Sequence, residues 1–255
     1  MRYAVCCVPV SPLRAGNSHR SEMVTQQLFG EKSTIVESAA DNWVKISLKY
    51  DNYHGWVQQN HLAEINEERY LKVDKDLTSD WISEVDYNGH RMYVPMGSSL
   101  SAFQNGKAFW RKNTVYFKGK VWNPEEITIT PKLVKQIAFR FLNTSYLWGG
   151  KSVFGIDCSG YSQMVFKFLN KSLPRDASRQ AEEGEAVNVL EEAKCGDLAF
   201  FNIGDEIIHV GILLNDHEII HSSGKVRLDK IDKEGILNLE TRQRTHQLTM
   251  IRRYF

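Results

Sequence analysis

Apolar residues recur with helical spacing in two segments of the second half of the chain. One face of the later segment carries Tyr161, Met164, Val165 and Phe168. This spacing predicts an amphipathic helix that begins at Cys158 and ends near residue 169. The earlier segment repeats apolar residues at Leu133, Ile137, Ala138, Phe141 and Leu142. Thr130 and Pro131 precede it and predict a helix start, because threonine can cap the first turn and proline fits inside it.

Two apolar runs near the end of the chain predict a β-hairpin. Residues 207–214 and 218–223 have the pattern of strands, and the polar stretch Asn215-Asp216-His217 separates them. With the turn centred near Asn215, His209 and His221 lie roughly opposite each other, on the same face and within side-chain reach. A pair of histidines is therefore expected on one surface of this hairpin.

Short strand-like runs, separated by polar or glycine-containing turns, fill the first half of the chain. One set covers residues 1–65 and a second covers residues 66–123, and each set predicts a small β-barrel. Trp43, Tyr53 and Trp56 fit the core of the first barrel. Asn123-Pro124 ends the second set, so a third domain is expected over residues 124–255.

The net charge of the chain bears on its possible partners, and its first residues bear on its location in the cell. The chain has 255 residues, and its 32 Lys and Arg side chains nearly balance its 31 Asp and Glu side chains. This balance indicates neither a nucleic-acid footprint nor attraction to an anionic membrane. Residues 1–10 hold only a short apolar run, too brief for a signal peptide or a membrane span. We therefore expect a cytoplasmic protein, or a secreted or periplasmic one if a leader peptide has been removed.

Of the four cysteines, one has a setting that indicates chemistry. Cys6 and Cys7 are adjacent, and four cysteines in a chain of this length do not make a disulfide framework. Cys158 differs because a glycine-rich turn within residues 146–160 brings it to the start of the predicted helix. Unpaired N–H groups and the positive end of the helix dipole favour the reactive thiolate there. The alternative is a small buried cysteine, with Asp157 or Ser159 acting only as the helix cap.

Cys158, His209 and His221 together have the composition of a nucleophile, a base and a group that orients the base. A zinc site is less favoured, because the chain has no Cys-x-x-Cys pair and no His-Glu-x-x-His helix. Phosphate-binding loops and the Gly-x-Ser-x-Gly elbow are also absent, so we expect neither a metal nor a cofactor. The remaining histidines are expected at the surface or in structural roles: His19, His54, His61, His90, His217 and His246.

Several motifs of the second half resemble the NlpC-type cell-wall peptidases, which have a papain-like fold. The family's aromatic-x-x-Gly-Gly run followed by Asp-Cys-Ser-Gly matches residues 146–160. Its His-Val-Gly-Ile strand matches residues 209–212, and its next-strand histidine matches His221. Its Gly-Asp-Leu-x-Phe-Phe strand matches residues 196–201. In the first half, residues 43–46 and 53–57 resemble bacterial SH3-like domains.

The resemblance implies an α+β, papain-like peptidase domain over residues 124–255, preceded by SH3-like barrels over residues 1–65 and 66–123. It implies a cysteine peptidase with Cys158 as nucleophile, His209 as base and His221 orienting His209. The implied substrate is a murein peptide with a free N-terminal L-Ala, cut between γ-D-Glu and the L-diamino acid. The family's substrate-binding positions match Asp157, Ser159, Tyr53, Glu22, Ser178 and Asp176. A monomer that needs no cofactor is expected.

Three other functions remain open at this point. The same chemistry could cut a different murein linkage, or an amine instead of water could resolve the thioester in an acyl transfer. A non-catalytic wall-binding module is the third. Two of the predicted binding residues also have a simpler explanation, since Asp176 or Ser178 can cap the helix that follows Pro174.

Overall fold

Alternating buried and exposed side chains produce the strands of the first half, as β5 illustrates. In Trp43–Leu48 the residues Val44, Ile46 and Leu48 are buried, whereas Lys45 and Ser47 are only partly so. The computed structural model describes residues 2–73 and 75–255, so Met1 and Asp74, which fall within the two predicted barrels, lie outside the described residues. The chain divides into two compact units. The first unit comprises residues up to Ile127 together with Trp148–Phe154, and the second comprises Thr128–Leu147 and Gly155–Phe255.

The first seven strands form one antiparallel sheet in the order β3-β2-β6-β5-β4-β1-β7. They are β1 (Arg2–Cys6), β2 (Val10–Arg14), β3 (Met23–Leu28), β4 (Lys32–Ser38), β5 (Trp43–Leu48), β6 (His54–Gln58) and β7 (Leu62–Ile65). Leu13, Val44, Ile46 and Val57 are fully buried in its core, and Tyr53 packs against them. Tyr53 thus has the core position predicted for it.

The rest of the first unit is a second group of short strands. It contains α1 (Glu67–Leu71), β8 (Leu77–Thr78), β9 (Ile82–Tyr87), β10 (His90–Pro95), β11 (Lys107–Trp110), β12 (Asn113–Phe117), β13 (Val121–Trp122) and β14 (Lys151–Ser152). Four of the strands pair in the order β10-β9-β12-β11, and β8 pairs with β13. Trp110 and Phe103 of this group pack on Phe29, which directly follows β3 of the first sheet, so one apolar core joins the two groups. The boundaries at 65/66 and 123/124 and a second SH3-like barrel stay predictions.

The second unit is built on a closed antiparallel sheet. Its strands are β15 (Gly155–Ile156), β16 (Glu185–Val187), β17 (Leu198–Ile203), β18 (Glu206–Leu213), β19 (Glu218–Ser223), β20 (Lys225–Asp232), β21 (Gly235–Leu237) and β22 (Arg244–Arg253). The sheet order is β16-β22-β17-β18-β19-β20-β21, and a further pairing of β21 with β22 closes six of these strands into a barrel. The predicted hairpin is confirmed as β18 and β19.

Three helices complete the second unit: α2 (Pro131–Ala138), α3 (Cys158–Phe168) and α4 (Ala177–Ala181). Single 3-10 turns occupy Gln59–His61 in the first unit and Phe139–Phe141 and Leu190–Glu192 in the second. The predicted start of α2 is confirmed, because the Thr130 hydroxyl accepts a hydrogen bond from the Leu133 N–H at 3.2 Å. No helix in the described part of the chain has the length and apolar character needed to cross a bilayer.

The amphipathic character predicted for α3 is wrong, because all 11 of its residues are buried. Two of its polar side chains bond to backbone carbonyls of the protein. The Ser162 hydroxyl donates to the Cys158 carbonyl at 3.2 Å, and the Gln163 amide donates to the Leu173 carbonyl at 3.0 Å. These bonds give the buried hydroxyl of Ser162 and the buried amide NH₂ of Gln163 a hydrogen-bond acceptor within the protein.

Candidate active site

Cys158 is the first residue of α3, and buried polar side chains fix this helix start. Asp157 is the N-cap, and its Oδ1 accepts a hydrogen bond from the Gly160 N–H at 2.7 Å. Arg175 donates to both oxygens of Asp157, at 3.0 and 2.6 Å, and to the Ser159 hydroxyl at 2.8 Å. Asp157 is therefore both a cap and half of a buried ion pair. Arg175 is not one of the site residues predicted from the sequence.

His209 and His221 meet on the hairpin, although not as directly opposite neighbours. The register pairs Gly211 with His221, so His209 lies diagonally across, two residues along β18. The offset keeps both rings on one face, and His209 Nε2 lies 2.8 Å from His221 Nδ1. Gly211 makes room for this pair, since a Cβ at that position would lie 2.9 Å from the Cβ of His221.

A buried carboxylate, absent from the sequence predictions, lies behind His221. His221 Nε2 is 3.0 Å from Asp229 Oδ2, and Arg227 donates to the same carboxylate through Nε at 2.7 Å and Nη2 at 3.0 Å. The register of β19 with β20 brings them together by pairing His221 with Arg227 and Ile219 with Asp229. A signal exists in the sequence, because Arg227 and Asp229 occupy the same alternate positions of β20 as the buried Ile231.

These contacts determine which ring nitrogens carry protons. Arg227 is a permanent cation, so its bidentate contact keeps Asp229 as an anion that can only accept hydrogen bonds. His221 must then carry its proton on Nε2, which leaves Nδ1 to accept from the His209 Nε2–H. The Nδ1 atom of a neutral His209 consequently has no proton and can act as a base.

His209, His221 and Asp229 are linked in series by hydrogen bonds and are called the relay here. Their pKa values agree with two neutral rings and a charged carboxylate. Burial lowers the pKa of His209 well below its usual 6.5, and the nearby His221 and His246 act in the same direction. Burial also lowers the pKa of His221, although Asp229 opposes the shift. Burial of Asp229 disfavours its ionisation, but hydrogen bonds from His221, Arg227 and the Leu239 N–H lower its pKa to about 2.

Burial also decides the protonation of Cys158. Burial first and the Asp157 carboxylate second raise the pKa of the thiol to about 11, and backbone hydrogen bonds from Val210 and Ser159 offset only part of this shift. The thiolate predicted at the helix start is therefore wrong for the resting site, because loss of hydration outweighs the helix dipole. Val210 follows His209 directly in β18, so this contact brings the thiol to the strand that carries the base.

His246, expected at the surface or in a structural role, instead joins the histidine pair. Its ring stacks on His209 with centroids 4.2 Å apart and planes 23° apart. Phe201 lies beside it at 5.8 Å in an edge contact, and the Nδ1 atom of His246 is 2.8 Å from the Thr245 hydroxyl oxygen. Four side chains of the barrel thus touch one after another, in the order His246, His209, His221 and Asp229.

Three further predicted binding residues of the second unit lie before and after Arg175 in the chain: Ser159, Asp176 and Ser178. Ser159 is buried and bonded to Arg175 and Asp157. Asp176 occupies the N-cap position of α4 with its side chain exposed and without a side-chain cap bond. Ser178 is exposed on α4 and lines an open cavity of about 570 Å³. The binding roles of these residues stay predictions.

Glu22 and Tyr53 belong to the first unit. The exposed Glu22 accepts a hydrogen bond from the Trp148 indole N–H at 2.6 Å, through the segment Trp148–Phe154 of the same unit. Tyr53 is partly buried, and its backbone N–H donates to the Asp51 carboxylate at 3.0 Å. The binding roles of Glu22 and Tyr53 also stay predictions. Among residues 2–73 and 75–255, no group of three or more His, Cys, Asp or Glu side chains is arranged to hold a metal ion.

Known proteins share both the sequence and the fold of this chain. Residues 143–245 match the NlpC/P60 family, and residues 13–62 match the bacterial dipeptidyl-peptidase Sh3 domain. A γ-D-glutamyl-L-lysine dipeptidyl-peptidase of Bacillus subtilis is 30% identical over 216 residues, which cover 78% of this chain and 71% of the relative. The chain belongs to the NlpC/P60 family.

Two further relatives extend the likeness of this NlpC/P60 peptidase along its length. A γ-D-glutamyl-L-lysine dipeptidyl-peptidase of Bacillus cereus is 26% identical over 242 residues, covering 80% of this chain and 68% of the relative. The crystal structure of an NlpC/P60 family protein from Bacillus cereus superposes with a TM-score of 0.79 at 20% identity, covering 99% of each chain. The predicted NlpC-type peptidase domain and one SH3-like domain are confirmed, whereas the α+β label stays a prediction beside the mostly β architecture.

Proposed function

We propose that this NlpC/P60 peptidase hydrolyses the bond between γ-D-Glu and the L-diamino acid of murein peptides whose N-terminal L-Ala is free. The observation that carries the chemistry is the series Asp229, His221, His209, because it leaves a proton-free Nδ1 on a buried imidazole. The names of the Bacillus relatives support the bond, and the match to a dipeptidyl-peptidase Sh3 domain supports a short substrate.

The reaction begins from a neutral thiol and a neutral ring. His209 Nδ1 takes the proton of Cys158 as the sulfur attacks the amide carbonyl. The negative oxygen that forms is stabilised by N–H groups at the start of α3. The imidazolium then gives its proton to the departing amine of the diamino acid. A water molecule, deprotonated by the same Nδ1, hydrolyses the thioester and regenerates the thiol. Asp229 holds its charge throughout and fixes the tautomer of His221.

The free amine of the substrate is expected to require a carboxylate, because an ammonium group that leaves water is costly without a partner. Of the two acidic residues predicted for this task, Asp157 already neutralises Arg175 through both oxygens. Glu22 is exposed, and the indole of Trp148, an uncharged donor, is bonded to its carboxylate. We therefore assign Asp157 to the placement of Cys158 and keep Glu22, a substrate-binding position by resemblance to the family, as the candidate for the ammonium group.

The test is cleavage of L-Ala-γ-D-Glu-L-Lys and of the corresponding diaminopimelate tripeptide, each with a free and an acetylated amine, followed by mass spectrometry. Wild type should release L-Ala-γ-D-Glu and prefer the free amine by at least about 10², because acetylation removes the charge with which the carboxylate pairs. Cys158→Ala should release nothing.

The Glu22→Gln variant should lose most of the preference for the free amine, whereas Glu37→Gln, an exposed carboxylate of the same unit, should keep it. Equal wild-type rates on free and acetylated peptides would contradict the free-amine requirement. Cleavage at another murein linkage, or transfer to an added amine, would replace the proposed bond or acceptor. Binding to intact sacculi without any cleavage would instead favour a wall-binding module.

A further inference from the structure

In the proposed mechanism His209 contacts His221 through its Nε2 edge and acts as the base through Nδ1. Neither role involves the two faces of the ring. The Nε2 edge meets His221, whose ring lies at 81° to it. One face is covered by His246 at 4.2 Å, in near-parallel stacking. Phe201 makes a tilted contact at 5.7 Å. The stacked ring comes from β22, whereas His209 and its partner histidine belong to β18 and β19.

The backbone of His246 is held by an approach that only glycine permits. His246 pairs with Ile236 at the contact between β21 and β22 that closes the barrel. The adjacent Gly235 has a φ of +123°, and a Cβ there would lie 1.8 Å from the carbonyl oxygen of His246. This position lets the two backbones touch. The His246 ring is thus attached to a fixed strand and not to a loop.

We propose that His246 is a positioning residue for His209: its ring covers one face of the imidazole and holds the plane in which Nε2 meets His221. The inference rests on the Cys–His mechanism proposed above. When His209 takes the thiol proton its ring becomes a cation, and a neutral aromatic face stacked on a cation attracts it. The same stacked ring keeps water from that face in the resting enzyme.

The charges around His209 are consistent with a neutral His246. The groups that face the ring are His221 from β19, with Asp229 and Arg227 behind it, and His246 from β22. The thiol of Cys158 reaches the next residue of β18. Burial first, and the nearby His221 second, lower the pKa of His246 to about 4, although Asp229 opposes the shift. His246 is therefore uncharged at neutral pH and does not repel the imidazolium of His209.

The test compares His246→Ala with His246→Phe on the murein tripeptide. The alanine variant should lose about tenfold in kcat, equivalent to about 1.4 kcal/mol, with KM within about twofold of wild type. Its acid limb of kcat/KM should move to higher pH, because water then reaches the uncovered face, and its hydration of the His209 cation outweighs the lost attraction of the stacked ring. The phenylalanine variant keeps a ring in the stack, so its acid limb should stay in place and its kcat should fall by no more than about threefold.

His217→Ala is the matched control, because this histidine is exposed at the turn between β18 and β19. It should behave as wild type. The titration of His209 by nuclear magnetic resonance provides a readout that needs no substrate: its pKa should rise in His246→Ala and not in His246→Phe. Wild-type kinetics and an unmoved His209 pKa in the alanine variant would overturn the inference, as would equal impairment of both variants. Failure of wild type to cut any murein peptide would instead refute the proposed function, and the titration would still decide the stacking role.

Discussion

At the scale of single residues, Asp229 fixes the tautomers of His221 and His209, because its Oδ2 accepts the hydrogen bond from His221 Nε2. In Asp229→Asn the remaining oxygen should stay with Arg227 Nη2 and the Leu239 N–H, which donate to Oδ1, so the amide NH₂ would take the place of Oδ2 and face both His221 and Arg227 Nε. His221 would then adopt the other tautomer and donate to His209, which would lose its free Nδ1. We expect kcat to fall by about 10² to 10⁴ with little change in KM. Glu240→Gln, which changes an exposed partner of Arg227, is the control. Activity above half of wild type in Asp229→Asn would contradict the tautomer argument.

A second residue-scale prediction concerns the thiol. With a pKa of about 11, Cys158 should react with iodoacetamide at a rate that rises about tenfold per pH unit from pH 7 to 10. Mass mapping distinguishes this site from the partly exposed Cys7 and Cys195, and Cys158→Ala gives the background. A rate that is constant between pH 6 and 8 would indicate a thiolate–imidazolium pair in the resting enzyme and refute the neutral site.

At the scale of elements, the β18–β19 hairpin depends on a missing side chain. A methyl group at Gly211 would lie 2.6 Å from Ile219 Cδ1 and 2.9 Å from the Cβ of His221. Gly211→Ala should displace the His221 ring and lower kcat by about 10², since a shift of roughly 1 Å is enough for such a loss. Gly204→Ala has a φ of +59° but no atom within 4 Å of the added carbon. This control should lower the melting temperature while keeping kcat, and equal loss of kcat in both variants would refute the displacement of His221.

The elements that depend on local sequence could be predicted, and those that depend on register could not. Helix α3 ends at Phe168, one residue before the predicted end. The prediction is this close because the apolar spacing and the cap that define the helix lie within a few residues of each other. The hairpin turn is centred at Asp216 and not at Asn215, which moves each cross-strand partner by two residues and keeps the predicted face. The alternation along β20 indicates that Asp229 is buried but not which residue it contacts, and His246 reaches the site through the pairing of β22 with β21, which no local pattern specifies.

At the scale of the whole molecule, two buried histidines and one partly buried histidine make stability depend on pH. The pKa values of His209, His221 and His246 all lie below the usual 6.5. Below pH 6.5 the unfolded chain binds protons that the folded chain does not, so stability is full above that pH and falls as the pH drops. With a folded pKa of about 4, His246 alone accounts for a loss of at most about 2 kcal/mol at pH 5, and solvent around its partly exposed ring reduces this figure. Hydrogen exchange of β18 amides at pH 7.5 and 5 measures the change, which should be smaller by that amount in His246→Phe. Identical pH dependence in this variant and wild type would contradict the assignment.

The closure of the barrel by β21 and β22 also bears on aggregation. An open sheet ends in strands whose unpaired N–H and C=O groups can recruit a strand from another molecule. Here β18 and β19, which carry the two relay histidines, each have a bonded neighbour on both sides. The strands that carry the chemistry therefore present no free edge from which strand exchange or fibril growth could begin.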